Sequence, residues 1–259
     1  MEVYLFELPG SEESKALMVG GIHGDEPESV WIAEPLLAGF KKIYPYQHFL
    51  GDLEKEGLQL WSKIQSSIMQ KKSCFVYIPC LNAHGFKHGT RTNAQKVDLN
   101  RNFPDKNWSA NFSAERYCPG SKPLSEKETQ WLDLFLNLGR WDFVIALHSW
   151  QAMVNFDGQR SLEMAKLLAQ HLGFQLKQDI SYPIPGSLGT YLNQLLETPS
   201  ICLEFPSKLR KASFLHQFSH VFLGALLDLI QTVLLKPKNR NVEKSLESEK
   251  PDNANADKG

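Results

Sequence analysis

Four segments of this 259-residue chain carry side chains of the kinds that bind divalent metals or move protons. The run Gly20-Gly21-Ile22-His23-Gly24-Asp25-Glu26-Pro27 sets a histidine and a glutamate three residues apart, on a loop whose glycines permit an abrupt turn. Hydrolytic zinc sites take three ligands from His and Asp/Glu and leave a position for water. His23 and Glu26 would supply two, and a histidine from a distant segment the third. His84 and His88 are candidates, but His148 is preferred because it follows its apolar run with no intervening residue. A set of two histidines and a glutamate favours zinc. Asp25 is read as a helix cap, and His48, His171, His216 and His220 as structural.

Glu204 closes the run Ile201-Cys202-Leu203-Glu204. A carboxylate there is costly to bury without a partner. Beside a metal it could take a proton from water and hand it to a leaving amine. The segment from Gly89 to Pro104 is dense in Arg and Asn. Arg91 could stabilise an oxyanion, while Asn100 and Arg101 could clamp a carboxylate. Composition alone leaves a solvated loop as the better reading of that segment.

The elements that must position these groups follow from apolar patterning. Ala16–Gly20, Phe75–Pro79, Phe143–Leu147 and Ser200–Leu203 read as buried strands, each followed by a polar or glycine-bearing segment. Helical patterns lie between and after them. One spans Pro27–Phe40, with Pro35 expected to break or kink it. Others span Leu53–Gln70, Ser125–Leu138 behind an S-E-K-E capping box, Ser161–Leu172 and Phe214–Leu235. Alternating strands and helices predict a single-domain α/β fold, with a mixed, largely parallel central sheet flanked by helices. Ligands in such folds bind beyond the carboxyl ends of strands.

Hydrophobic residues are 42% and charged residues 22%, ordinary for a globular chain. A net charge of -1 gives no electrostatic footprint for nucleic acid and no basic patch for a membrane. The four cysteines form no C-x-x-C pair, and a reducing compartment suits them. The first residues lack a signal-peptide pattern, so a cytoplasmic location is expected. Val221–Leu235 reads as too short and too polar for a membrane span. The expected organisation is one catalytic domain over residues 1–235 and a disordered polar tail over 236–259.

Taken together, H-G-D-E, V-D-L-N-R-N-F-P, L-H-S-W and C-L-E-F-P resemble, in order, the motifs of the zinc carboxypeptidase family M14 across about residues 16 to 206. The resemblance implies one zinc ion on His23, Glu26 and His148, an electrophilic Arg91, a carboxylate-binding Asn100–Arg101 pair and a catalytic Glu204. It also implies a mobile tyrosine at Tyr182 and a specificity residue at Leu188. The chain is most similar to the murein peptide amidase A branch, whose members cut the γ-D-glutamyl–diaminopimelate amide of cell-wall peptides in the cytoplasm. A small murein tripeptide is then the expected partner. Residues 41–73 look long for that branch and suggest an added helix. The alternatives are an N-acyl amino acid deacylase of the succinylglutamate desuccinylase and aspartoacylase type, or a non-catalytic peptide-binding protein.

Overall fold

A computed structural model describes residues 1–10, 13–50, 53–178 and 184–235, with side chains omitted for 53–58. Tyr182 and the polar tail at 236–259 lie outside the described residues. The strands are β1 (Glu2–Glu7), β2 (Ser14–Val19), β3 (Tyr46–Leu50), β4 (Ser73–Ile78), β5 (Phe143–Trp150), β6 (Met153–Asp157), β7 (Gln175–Lys177) and β8 (Ser200–Pro206). The helices are α1 (Glu28–Trp31), α2 (Ala33–Ile43), α3 (Leu53–Gln70), α4 (Ala83–His88), α5 (Lys127–Leu136), α6 (Gln159–Leu172), α7 (Leu188–Gln194) and α8 (Lys211–Val233).

The strands form one eight-stranded sheet in the order β3-β1-β4-β2-β5-β8-β6-β7. Its centre, β4-β2-β5-β8, is parallel throughout. Antiparallel pairing enters on one side at β1 and β3 and on the other at β6, while β7 runs parallel to β6. Successive residues of each strand point to opposite faces. Ala16, Met18, Phe143, Ile145, Ile201, Leu203 and Phe205 pack with residues of α2, α6 and α8. Leu17, Val19, Val144 and Ala146 pack with residues of α3, α5 and α7. The result is a single domain: a mixed sheet between two helical layers.

The central strands stand where apolar patterning puts them, but two run further. His148 and Glu204 lie inside β5 and β8 rather than after or at the end of them. Pairing continues to Trp150 and Pro206 because each chain supplies the other's hydrogen bonds. β3 is almost wholly exposed and β7 has only three residues, so neither carries an apolar run. Residues 41–73, which look long in the sequence, hold β3 and α3.

Helix caps differ from expectation. The helix after the metal-type loop breaks at Ile32 into α1 and α2. Pro35 has no N–H for the carbonyl of Trp31 and crowds it. Asp25 caps nothing: Pro27 occupies the N-cap with no side-chain bond. The S-E-K-E capping box does not form either, because Glu126 is the N-cap of α5 and makes no side-chain cap bond. Instead buried Asn102 reaches across, its Oδ1 accepting from the Glu126 N–H and the Thr129 hydroxyl. α8, at 23 residues, is long and apolar enough to cross a membrane by length and composition. It buries Phe214, Phe218, Phe222, Ala225, Leu226, Leu229 and Ile230 within the domain.

Candidate metal centre and active site

The loop from β2 to α1 carries His23 and Glu26. Its tightness depends on Gly24, where an added Cβ would lie 1.9 Å from the backbone carbon of Gly85. His23 Nδ1 stands 2.7 Å from Glu26 Oε1, and Glu26 Oε2 stands 2.9 Å from His148 Nδ1. The two Nδ1 atoms are 3.2 Å apart. One donor atom from each of these residues lies within 4.8 Å of the others. Ligands about 2.0–2.1 Å from zinc in a tetrahedral site stand about 3.4 Å apart, somewhat wider than these separations, so the three donors need part only slightly to admit an ion. The donor set therefore fits zinc in chemistry and spacing. His84 and His88 are elsewhere, on α4, with their rings 4.3 Å apart.

Asp98, named in the sequence only as part of a motif, is fully buried and organises the cluster. Its Oδ1 lies 3.1 Å from His23 Nε2 and accepts from the Asn100 N–H, while its Oδ2 accepts from Arg91 Nε at 2.8 Å. A carboxylate on the far nitrogen of a metal-type histidine fixes the ring's tautomer and orientation. Burial alone would lower the His23 pKa, but Glu26 and Asp98 outweigh it and raise it to about 9. Burial opposes ionisation of Glu26 and Asp98 as well, yet the cations beside them hold both below the ordinary carboxylate range. Arg91 also reaches Glu26 Oε1 at 3.4 Å. The backbone N–H of Ser149 donates to Glu26 Oε2, and the Ser149 hydroxyl donates to buried Glu28.

Glu204 is the register partner of His148 on the neighbouring strand. Cys202 Sγ donates to its Oε1 at 3.7 Å, while its Oε2 is buried with no hydrogen-bond partner. Burial raises the Glu204 pKa, with His148 opposing and Glu26 adding to the rise. A buried carboxylate oxygen left open beside a cluster of metal-type donors is suited to accepting a proton from water.

Both groups open onto a cavity of about 1150 Å³ that Arg91, Asn100, Arg101, Tyr117 and Leu188 also line. Asn100 Oδ1 accepts from the Leu188 N–H at 2.9 Å, which leaves its amide N–H groups to face a ligand. Leu188 itself is buried in the α7 layer of the core. Arg101 donates to the Asn100 carbonyl and lies 5.6 Å from the centre of the Tyr117 ring. Below Glu204 on the same sheet face, Cys202 pairs with Asn155 and Ser200 with Asp157, and these four residues line the cavity too. Sequence reading passed over Asn155, Asp157 and Tyr117. The first two sit on a strand with no continuous apolar run, and the last in an irregular segment.

A mixed α/β sheet with two histidines and two glutamates gathered over a cavity defines a metal-dependent hydrolase of the carboxypeptidase type. Residues 56–200, more than half of the chain, match the zinc carboxypeptidase family, peptidase M14, and the chain belongs to it. It is a hydrolase of that family and is related to murein peptide amidases. Murein peptide amidase A of Escherichia coli K12 is 28% identical over 212 residues, covering 78% of this chain and 75% of the relative. The amidase of the same name from Vibrio campbellii is 32% identical over 137 residues, 49% of this chain and 54% of that one. The crystal structure of the murein-tripeptide amidase MpaA of Escherichia coli O157 superposes with a TM-score of 0.61. It is 27% identical and covers 91% of this chain and 87% of its own. The match to the family begins after His23 and Glu26 and stops before Glu204.

Proposed function

We propose that this chain hydrolyses the amide between the γ-carboxyl of D-glutamate and diaminopimelate in murein peptides, using one zinc ion held by His23, Glu26 and His148. The observation that carries the reading is the approach of those three donors to within 4.8 Å beside a Glu204 Oε2 that has no hydrogen-bond partner. The names of the relatives supply the substrate class, an amide of a murein peptide, the resemblance to the murein peptide amidase A branch supplies the bond, and the cavity supplies the chemical fit.

Bound zinc supplies Lewis acidity, polarising the amide carbonyl and making water acidic near neutral pH. The protein's own groups do the rest. Glu204 withdraws a proton from the attacking water at Oε2 and delivers it to the leaving nitrogen. Arg91, held by Asp98 at Nε, presents its remaining N–H groups to the oxygen on which charge develops. Asn100 and Arg101 hold the carboxylate of the leaving amino acid. Asp157, with Asn155 and Ser200, lines the cavity floor and suits the ammonium at the far end of a diaminopimelate side chain. Tyr182 is proposed to cover the bound substrate and Leu188 to shape the pocket around the leaving residue. Such a reaction belongs to recycling of cell-wall fragments in the cytoplasm.

The test is mass spectrometry of products after incubating the zinc-loaded protein with L-Ala-γ-D-Glu-diaminopimelate. Free diaminopimelate and L-Ala-D-Glu are the expected products. Glu204→Gln should lower turnover by about 10²–10⁴-fold with zinc content unchanged. An intact tripeptide, or loss of zinc in that variant, would overturn the assignment.

A further inference from the structure

Three guanidinium groups surround the ring of Tyr117: Arg91 at 5.5 Å, Arg101 at 5.6 Å and Arg116 at 5.4 Å from its centre. All four residues line the same cavity. Crowded like charges are tolerated where each has an anion to meet. Arg91 is engaged by Asp98 and Glu26. Arg101 adjoins Asn100, whose side chain is tied to α7. Arg116 lies on the other flank, with Nη2 3.4 Å from Oδ2 of Asp25, the residue between Gly24 and Glu26. That contact is long, and the Arg116 side chain is 55% exposed at the cavity rim. Arg91 thus shares the Tyr117 ring with two further cations, Arg101, whose neighbour Asn100 is tied to α7, and Arg116, which reaches the metal-type loop at Asp25.

We propose that Arg116 binds a second carboxylate, on the acyl side of the scissile amide, and so selects acyl groups joined through a side-chain carboxyl. The proposal rests on the amidase reading above. If Arg91 faces the reacting carbonyl and Arg101 the leaving residue's carboxylate, Arg116 faces the acyl residue. In a γ-linked glutamyl group the α-carboxyl is free and anionic at that place. In an ordinary α-linked peptide the main chain continues there as a neutral amide, which offers Arg116 no charge. A guanidinium fork matches a carboxylate and not an amide. The arginine therefore distinguishes the linkage, whereas the floor of the cavity distinguishes the leaving group.

The experiment compares two substrates with the same leaving group, L-Ala-γ-D-Glu-diaminopimelate and its α-amidated counterpart, L-Ala-γ-D-isoglutaminyl-diaminopimelate. The zinc-loaded wild-type protein should favour the free acid by about threefold to fivefold in kcat/KM, the size expected of one partly exposed charge-assisted contact. Arg116→Ala should remove that preference, chiefly through KM on the free acid, and Arg116→Lys should keep part of it. Equal cleavage of both substrates by the wild-type protein would overturn the assignment while leaving the amidase reading intact. So would an equal loss on both substrates in Arg116→Ala, because an arginine that only fastens its loop to Asp25 does not distinguish acid from amide. Cleavage of neither substrate by the wild-type protein would overturn the amidase reading and this one with it.

Discussion

At the scale of single residues, the proposed zinc site holds a histidine between two carboxylates. Without a metal ion His23 holds its proton up to about pH 9, because Glu26 and Asp98 outweigh its burial. A zinc ion held by His23 would have to displace a ring proton. Zinc binding at pH 7 should therefore release a proton, and affinity should rise with pH until about 9. Calorimetric titration in buffers of different ionisation enthalpy measures this, and a buffer-independent heat would refute it. Asp98→Asn removes the carboxylate from the far nitrogen and should weaken zinc binding by about 10–100-fold, as competition with a chromophoric chelator would show. In the zinc-loaded variant, oxyanion stabilisation should also fall, since Arg91 Nε loses the same partner. Glu204 is shifted in the opposite direction from the depressed acids, because burial raises it.

At the scale of elements, residue chemistry was more legible than the caps and edges that carry it. The H-x-x-E spacing, the position of His148 and the apolar run leading to Glu204 can all be read in the chain, and the structure brings these residues together. The path that joins them cannot be read in the same way. The role of Asp98 depends on His23, 75 residues earlier, and on Arg91, 7 residues earlier. The cap of α5 comes from Asn102 and not from the adjacent Ser125, because the tertiary contact displaces the local one. Gly24 has the same character: its spacing suggests a turn, but its requirement is the backbone of Gly85 pressed against it. Gly24→Ala should push the β2–α1 loop from α4, lowering zinc content in the purified protein while leaving far-ultraviolet circular dichroism close to wild type. An alanine variant with full zinc would show that the loop has room to adjust.

At the scale of the whole molecule, the two helical layers divide the work. The layer with α2, α6 and α8 holds an aromatic cluster in which Phe205 meets Phe214, Phe218 and Phe222 at ring separations of 5.2–5.8 Å. The other layer, with α7, borders the cavity. Phe205 and Glu204 are neighbours on opposite faces of β8, so the aromatic cluster packs behind the strand that carries Glu204. Phe222→Ala should cost about 3–5 kcal/mol in urea unfolding, the usual range for deleting a buried aromatic. Specific activity of the folded, zinc-loaded fraction should stay within about twofold, because the cavity face is untouched. A much larger loss of activity would mean that packing behind the sheet sets the geometry in front of it. The α/β class was legible from four apolar runs. A mixed sheet was expected, but the strands that supply its antiparallel pairs were not, since an exposed strand such as β3 gives no apolar signal.

Asn102 ties the segment that carries Asn100 and Arg101 to the start of a helix outside the cavity. Its Nδ2 donates to the carbonyls of Pro119 and Lys122 while its Oδ1 holds the first turn of α5. On the proposed roles, selectivity would be retuned most cheaply by exchanging cavity-lining side chains such as those at 116 and 157. Shifting the segment itself would first require a new anchor for the neighbouring helix. Laboratory selection for new substrates should accordingly gather changes at those two positions and leave position 102 as asparagine.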